Sequence, residues 1–555
     1  MTLIAQTFDQ LINFTRTSAA TFVGSNGLIQ NTPASVNLLT YTQEFDNAAW
    51  NKGTSGSISA NNAVSPDGTT TADTYTWATA TPNYAFLSQS ATAVSTNAHT
   101  FSIWLKRPAG SGSRTVRLTV SDVTTSSANS SSFTVTEAWQ RFEFTRTSAN
   151  STGLVGVGLA LGVTGTPIAA GEIIEVWGAQ LQTGSTATTY TRNFGGRFPP
   201  RFDYDPVTLL PRGLLVEEQR TNLMLRSEEF DNAAWNKDNV TATANATTSP
   251  DGTSNADTLV ENTATTPHRI IAASSFSFVS GTTYTASIFA KNAGRRYLNL
   301  NWAVAFNARA TFDLQTGTIS NTASGTATIT DLGNGWYRCT VTNAATVTAT
   351  NNGYFQLSNS STGTDTYTGD GTSGLYVWGA QLEAGAFATS YIPTVASQVT
   401  RTADVVTIAA PNFAPWYNQS EGTIFVEATA YAGTNSNRYY EFNDGTGSNL
   451  IQGFASPSTI NTCWVDVGGV GQARLSTSGS PTALTKIAAA VRLNDFAASL
   501  NGAAPATDIS GTLPTVNRLG IGNNPTGTSA LNGHIRSIRY YPVRLTNATL
   551  QALTA

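Results

Sequence analysis

The nine residues Glu-Phe-Asp-Asn-Ala-Ala-Trp-Asn-Lys stand at Glu44–Lys52 and again, unchanged, at Glu229–Lys237. A perfect repeat of this length marks a duplicated domain. Further landmarks follow both copies in the same order. Ser65-Pro-Asp-Gly68 is answered by Ser249-Pro-Asp-Gly252, and Ala72-Asp-Thr74 by Ala256-Asp-Thr258. His99–Lys106 is answered by Tyr284–Lys291, Trp139 by Trp336, Trp177 by Trp378 and Tyr190 by Tyr391. The late landmarks are offset further than the early ones, so the second copy carries insertions, which belong in loops.

Each copy reads as β-structure. In His99–Lys106, Phe101, Ile103 and Leu105 alternate with Ser102, Trp104 and Lys106, the period of a strand with two distinct faces. Charged residues make up 12% of the chain and aromatics 10%. That balance suits many short strands joined by turns and does not suit disorder. The third part has strand candidates at Gly422–Thr429, Lys486–Leu493 and His534–Tyr541, with a capped helix at Thr546–Leu553. The expected fold class is all-β, with three β-sandwich (jelly-roll) domains in series. The expected divisions are a lead-in or attachment segment at 1–36, a first sandwich at 37–191, an extended connector at 192–220, a second sandwich at 221–393 and a third at 394–555.

Several function classes find no support. A net charge of −4 gives no electrostatic case for nucleic acid. Two cysteines, Cys339 and Cys463, lie far apart and read as unpaired. Met1–Arg16 does not read as a signal peptide, and Leu154–Val163 is too short to span a bilayer. The expectation is a soluble product made in the cytoplasm, without membrane insertion. The three histidines, His99, His268 and His534, fall one per sandwich, with no Cys/His metal spacing, nucleophile elbow or P-loop. A glycosidase needs two carboxylates across a cleft. Glu217-Glu218 are neighbours that point to opposite sides of an extended segment, and they read as partners for Arg212 and Arg220. No enzyme, cofactor or metal is expected. Asp67, Asp73, Asp251 and Asp257 could ligate calcium, but Pro-Asp-Gly is more simply turn chemistry.

Residues identical in both copies, such as Trp50 and Trp235, read as core. So do Trp139, Trp177, Trp336 and Trp378. Positions where the copies differ are the candidates for carbohydrate binding. Trp77 stands where the second copy has Glu261, Tyr84 faces His268-Arg269, and Trp104 stands opposite Phe289. Tyr297 and Trp302 share a strand with Asn299 and Asn301, and aromatics with amides suit a sugar ring and its hydroxyls. The candidate set is Trp77, Tyr84, Trp104, His268, Arg269, Tyr297 and Trp302. The same pattern also describes an exposed strand face or a subunit interface.

Phe14–Gln30, Pro200–Arg220 and Asn222–Lys237 resemble a motif set of tailed-bacteriophage fibre, spike and head-decoration proteins. Both copies resemble the carbohydrate-binding-module-like jelly rolls of that group. Thr423–Glu427, Leu531–Tyr541 and Leu545–Leu553 resemble a laminin-G or concanavalin-like sandwich. The resemblance implies a virion surface protein, head or tail fibre, that adheres to host-surface glycan. It also implies a homo-oligomer, commonly a trimer, joined to other virion proteins through its N-terminal segment. A decoration protein without glycan binding and a polysaccharide depolymerase are the alternatives. In that group the first segment runs directly into the second, whereas here 37–190 lies between them. An inserted first sandwich predicts that Phe14–Gln30 and Phe198–Leu215 still pack together.

Overall fold

In both copies the repeated nonapeptide is fixed by the same hydrogen bonds. Trp50 Nε1 donates to Tyr41 O at 2.8 Å and Trp235 Nε1 to Arg226 O at 2.9 Å. Lys52 Nζ donates to the carbonyls of Asp46 and Asn47, and Lys237 Nζ to those of Asp231 and Asn232. The Phe45 and Phe230 amides donate to Asp73 and Asp257 at 2.8 and 2.7 Å. The other oxygen of each Asp accepts from Asn61 N or Asn245 N, at 2.8 and 2.9 Å. Trp50 and Trp235 are each 2% exposed. The repeat is kept by folding. These Asp residues serve as backbone caps, and Asp67 and Asp251 cap their own turns through Ser65 and Ser249.

This pairing makes a sharp prediction. Asp257→Asn leaves one acceptor where two N–H groups need one each, and turns an amide N–H toward the second. The second sandwich should lose about 1–3 kcal/mol, read as a lower midpoint in urea.

The computed structural model describes residues 12–32, 37–53, 56–77, 86–92, 98–122, 125–129, 132–147, 154–160, 169–193, 198–302, 305–363, 366–409, 412–431, 437–456, 459–478, 484–524 and 527–555. Among the described residues the chain is almost wholly β, with one helix at Asn547–Thr554. It divides into two compact units, one of 1–17, 33–199 and 408–415, the other of 18–32, 200–407 and 416–555.

In the first unit two five-stranded antiparallel sheets face each other. Their shared core includes Trp50, Tyr75, Trp77, Phe101, Ile103, Leu105, Leu118 and Val176. The predicted alternation holds at Phe101, Ile103 and Leu105, which face this core.

The second unit begins with two six-stranded antiparallel sheets. One runs Trp235–Asp238, His268–Ala272, Gly353–Ser358, Tyr297–Trp302, Ala308–Asp313, Thr318–Ser324. Ile270, Leu298, Leu300, Trp302, Phe312 and Phe355 of this sheet pack on Leu259, Ile288, Val341 and Val377 of the other.

The third sandwich belongs to the same unit. One of its sheets runs Gly533–Tyr541, Glu421–Ala430, Thr485–Arg492, Asp495–Leu500, Ala506–Asp508. The connector extends this sheet. Arg201–Tyr204 and Pro211–Val216 form a hairpin whose second strand pairs with the sheet edge, Leu214 opposite Ile535 and Val216 opposite Gly533. An extended connector was expected; the structure forms a sheet edge, because Leu214–Val216 have an apolar face to bury. The helix is capped as expected, by Thr546 rather than an Asn, and Leu550 buries against Phe425, Ala488 and Ala490.

The two separated lead-in pieces meet. Thr21–Val23 pairs with Ile29–Asn31 in a small hairpin. Arg201 Nη1 donates to Thr21 O at 2.9 Å, and Val23 N donates to Asp203 Oδ1 at 2.6 Å. Within the other unit, Arg16 Nη2 donates to Pro199 O at 3.0 Å.

Candidate functional site

The strand Tyr297–Trp302 has two distinct faces. Leu298, Leu300 and Trp302 point into the sandwich; Tyr297, Asn299 and Asn301 point to the opposite face. Trp302 is therefore not a sugar platform. It is 2% exposed and packs among Phe276, Phe278 and Phe306 at centroid distances of 5.5–6.1 Å.

Two other candidates are corrected for the same reason. Trp77 is buried edge-on against Tyr75 at 4.6 Å. Its counterpart Glu261, also buried, is held by Arg295 Nε at 2.9 Å and by the Tyr367 hydroxyl. The copies differ there in how the core is closed. His268 is fully buried, with Nδ1 on Asn239 O at 2.9 Å and its ring against Tyr367. Trp104 is half-buried against Trp177, just as Phe289 packs on Trp378. Trp177, Trp336 and Trp378 are buried as expected. Trp139 is half-buried and donates to Val64 O, matching the Trp336 bond to Thr248 O. Tyr84 lies outside the described residues.

Trp104, Arg269 and Tyr297 remain partly exposed, and the structure gathers Arg269 and Tyr297 on one face. Strand register aligns Asp238, Arg269, Gln356, Asn299, Thr311 and Asn321 in one polar row across all six strands. A second row aligns Ile271, Tyr354, Asn301 and Arg309. On the other flank stand Ser358, Tyr297 and Asp313.

The flanks are rigid. Arg269 Nε donates to Asp238 at 2.8 Å while its guanidinium lies 4.6 Å from the Tyr354 ring centre. Arg296 donates to both oxygens of Asp313 and lies 5.2 Å from the Tyr297 ring centre. Hydrogen bonding from Arg296 holds the Asp313 carboxyl down at about 2.

The centre of the row is unusual. Asn299 is fully buried, and neither its oxygen nor its nitrogen has a hydrogen-bond partner among the described residues. A buried amide left unpaired costs about 1–3 kcal/mol. The segment Ser360–Gly363 closes over it. Arg309 Nη2 holds Gly363 O at 2.7 Å, and a Cβ at Gly363 would lie 2.3 Å from Thr311 Oγ1 and 3.1 Å from Asn299 Cγ. The face thus sets buried amides and a hydroxyl between two part-exposed tyrosines and Arg269, groups of the kind that hydrogen-bond hydroxyls and carry an apolar ring edge. Of the residues singled out from the sequence, Arg269 and Tyr297 lie on this face; Gln356, Thr311 and Tyr354 join them only through the register that brings those strands side by side.

No protein-family model matches the chain, and neither does any curated protein. Among solved structures, the N-terminal CBM22-1-CBM22-2 tandem domain from Paenibacillus barcinonensis Xyn10C is 14% identical, with a TM-score of 0.22, covering 64% of this chain and 99% of that one. The Ruminococcus gnavus IT-sialidase CBM40 is 15% identical, TM-score 0.23, covering 26% and 89%. Domains LG4-5 of the mouse laminin alpha1 chain are 11% identical, TM-score 0.19, covering 60% and 91%. Similarity at this level places no function on the chain, and the reading of the site rests on its residues.

Proposed function

We propose that this chain is an adhesive surface protein of a bacteriophage virion that holds host-surface carbohydrate on the outer face of its second sandwich. The observation that supports the binding is the polar row flanked by Tyr297 and Tyr354, at whose centre Asn299, a buried amide under Ser360–Gly363, has no hydrogen-bond partner among the described residues. Sugar hydroxyls donate and accept at once, as an amide does. A shallow site of this kind binds weakly, and many copies on one particle raise the avidity.

The virion assignment is supported by the resemblance of Phe14–Gln30 and Pro200–Arg220 to phage fibre segments. The close packing of Thr21–Val23 on Arg201–Asp203 adds to it. Attachment through the N-terminal segment and self-association as a trimer belong to the same proposal.

A decoration protein without glycan binding is the second reading. The connector hairpin favours it, since Phe202, Val207 and Leu209 are 42–52% exposed, as in a protein–protein contact.

The test is a glycan array with the whole protein and Asn299→Leu. Leucine removes an unpaired amide, so the melting temperature should hold or rise. Glycan binding should fall to background. Binding that survives in Asn299→Leu, or no binding by the parent protein, would count against the adhesive reading.

A further inference from the structure

We propose that the second unit carries a separate site for a carboxylated sugar, in the cleft between the connector hairpin and the edge of the third sandwich. The cleft encloses about 380 Å³, within the range of roughly 300–1,000 Å³ typical of small-ligand sites. Leu210 and Arg212 line it from the hairpin, His534 and Arg536 from the strand Gly533–Tyr541, and Tyr431 and Leu484 from the far side.

Its frame is rigid. Leu214 pairs with Ile535 in the sheet. His534 Nε2 lies 2.8 Å from Asp203 Oδ2, and Asp203 Oδ1 accepts from Val23 N. Gly213, at φ 108°, lets the hairpin strand lie against its neighbour, for a Cβ there would be 2.9 Å from Arg536 Cα. This close approach sets Arg212 and Arg536 on adjoining strands at the cleft.

Both guanidiniums have donors to spare. Each has five N–H groups in a fixed fork. Arg212 contacts Asp205 through one nitrogen at 2.9 Å, and Arg536 reaches Glu427 through one nitrogen at 3.6 Å. Their side chains are 35% and 47% exposed. Opposite them Tyr431 is stacked on Phe387, with ring centres 5.3 Å apart, and is thus a fixed aromatic wall. Leu210 and Leu484 leave 59% and 39% of their surface exposed.

These walls select a ligand class. A neutral sugar would use the aromatic and leucine surface and leave without an acceptor the guanidinium N–H groups that Asp205 and Glu427 do not occupy. Sulfate or phosphate would use the arginines and nothing else. A pyranose bearing a carboxylate uses both, its carboxylate on the arginine forks and its C–H surface on Tyr431 and Leu210. This site is independent of the outer face centred on Asn299.

The test is calorimetric titration of the whole protein with glucuronate, galacturonate and N-acetylneuraminate, beside glucose, galactose and sodium sulfate. At least one acidic sugar should bind saturably, and the neutral sugars and sulfate should not match it. Arg536→Gln and Arg212→Gln should each weaken that binding by about tenfold or more at unchanged melting temperature, because both arginines are partly exposed. Asn299→Leu should leave it intact. Neutral sugar or sulfate binding as tightly as the acidic sugar would overturn the proposal, as would parental affinity in both arginine variants or loss of acidic-sugar binding in Asn299→Leu. Failure of glycan binding at the Asn299 face alone would leave this site standing.

Discussion

Glu217→Gln is expected to destabilise the second unit by about 3–5 kcal/mol, the range for breaking a buried ion pair by removing one partner. Four charged side chains meet at this point with almost no exposure: Arg201, Glu217, Arg401 and Asp404. Arg201 lies 2.8 Å from Glu217 and 2.5 Å from Asp404. Glu217 also accepts from Ser390 N and Ser390 Oγ at 2.8 and 2.7 Å. The backbone joins in, since Glu217 N donates to Asp404 Oδ2 and Asp404 N donates to Glu217 O, each at 2.9 Å. The cluster therefore ties the lead-in at Thr21, the connector, the end of the second sandwich and the strand leading to the third. Glutamine keeps the shape but leaves two buried guanidiniums sharing one carboxylate.

Acid should act in the same direction. Burial pushes the Glu217 carboxyl up, but the Arg401 and Arg201 charges and the Ser390 hydrogen bonds together hold it well below its ordinary 4.5. The folded state thus keeps a charge that the unfolded chain loses on acidification. The contribution is present above about pH 4.5 and is lost as the pH falls below it. Chemical denaturation at neutral and acid pH measures both effects. The parent protein should lose more stability on acidification than Glu217→Gln. Equal acid sensitivity, or a variant as stable as the parent at pH 7, would contradict this account.

How far the sequence reveals this molecule depends on whether a signal is local. The duplicated nonapeptide, the alternation at Phe101–Leu105 and the Thr546 cap are local patterns, and the structure agrees with each. Charge pairing in the connector was only half legible. Arg220 does pair with Glu218, but Arg212 takes Asp205, and Glu217 turns inward to Arg201 and Arg401. Nothing in sequence spacing marks Asp404 as its neighbour, because that contact exists only once the connector joins the third sandwich's sheet. The candidates that lie in the core, Trp77, His268 and Trp302, escape the sequence for a related reason. A difference between copies does not by itself mark a ligand contact: Trp77 and Glu261 differ because one closes its core with an indole and the other with a carboxylate held by Arg295 and Tyr367. The polar row through Asn299 rests on the order of six strands, which no single strand encodes.

Trp302→Ala is expected to cost the second sandwich about 3–5 kcal/mol, the range for deleting a large buried aromatic. The indole is 2% exposed and touches three phenylalanine rings. It also lies over Gly353, where a Cβ would come within 2.1 Å of the ring. A cavity here would be walled by Phe276, Phe278 and Phe306, which cannot collapse into it without disturbing the strand that carries Asn299 and Asn301. The consequence for binding follows from that position. Well below the unfolding transition, Trp302→Ala should keep glycan affinity within a few-fold of the parent. As the temperature rises, its binding should vanish together with the native tryptophan and tyrosine circular dichroism. Tyr297→Ala should do the opposite, because Tyr297 is half-exposed on the outer face. It should leave stability within about 1 kcal/mol, as for surface substitutions, and weaken binding at every temperature. Full stability with abolished binding in Trp302→Ala would make the indole a ligand contact, and the division of this strand into a core face and a binding face would be wrong.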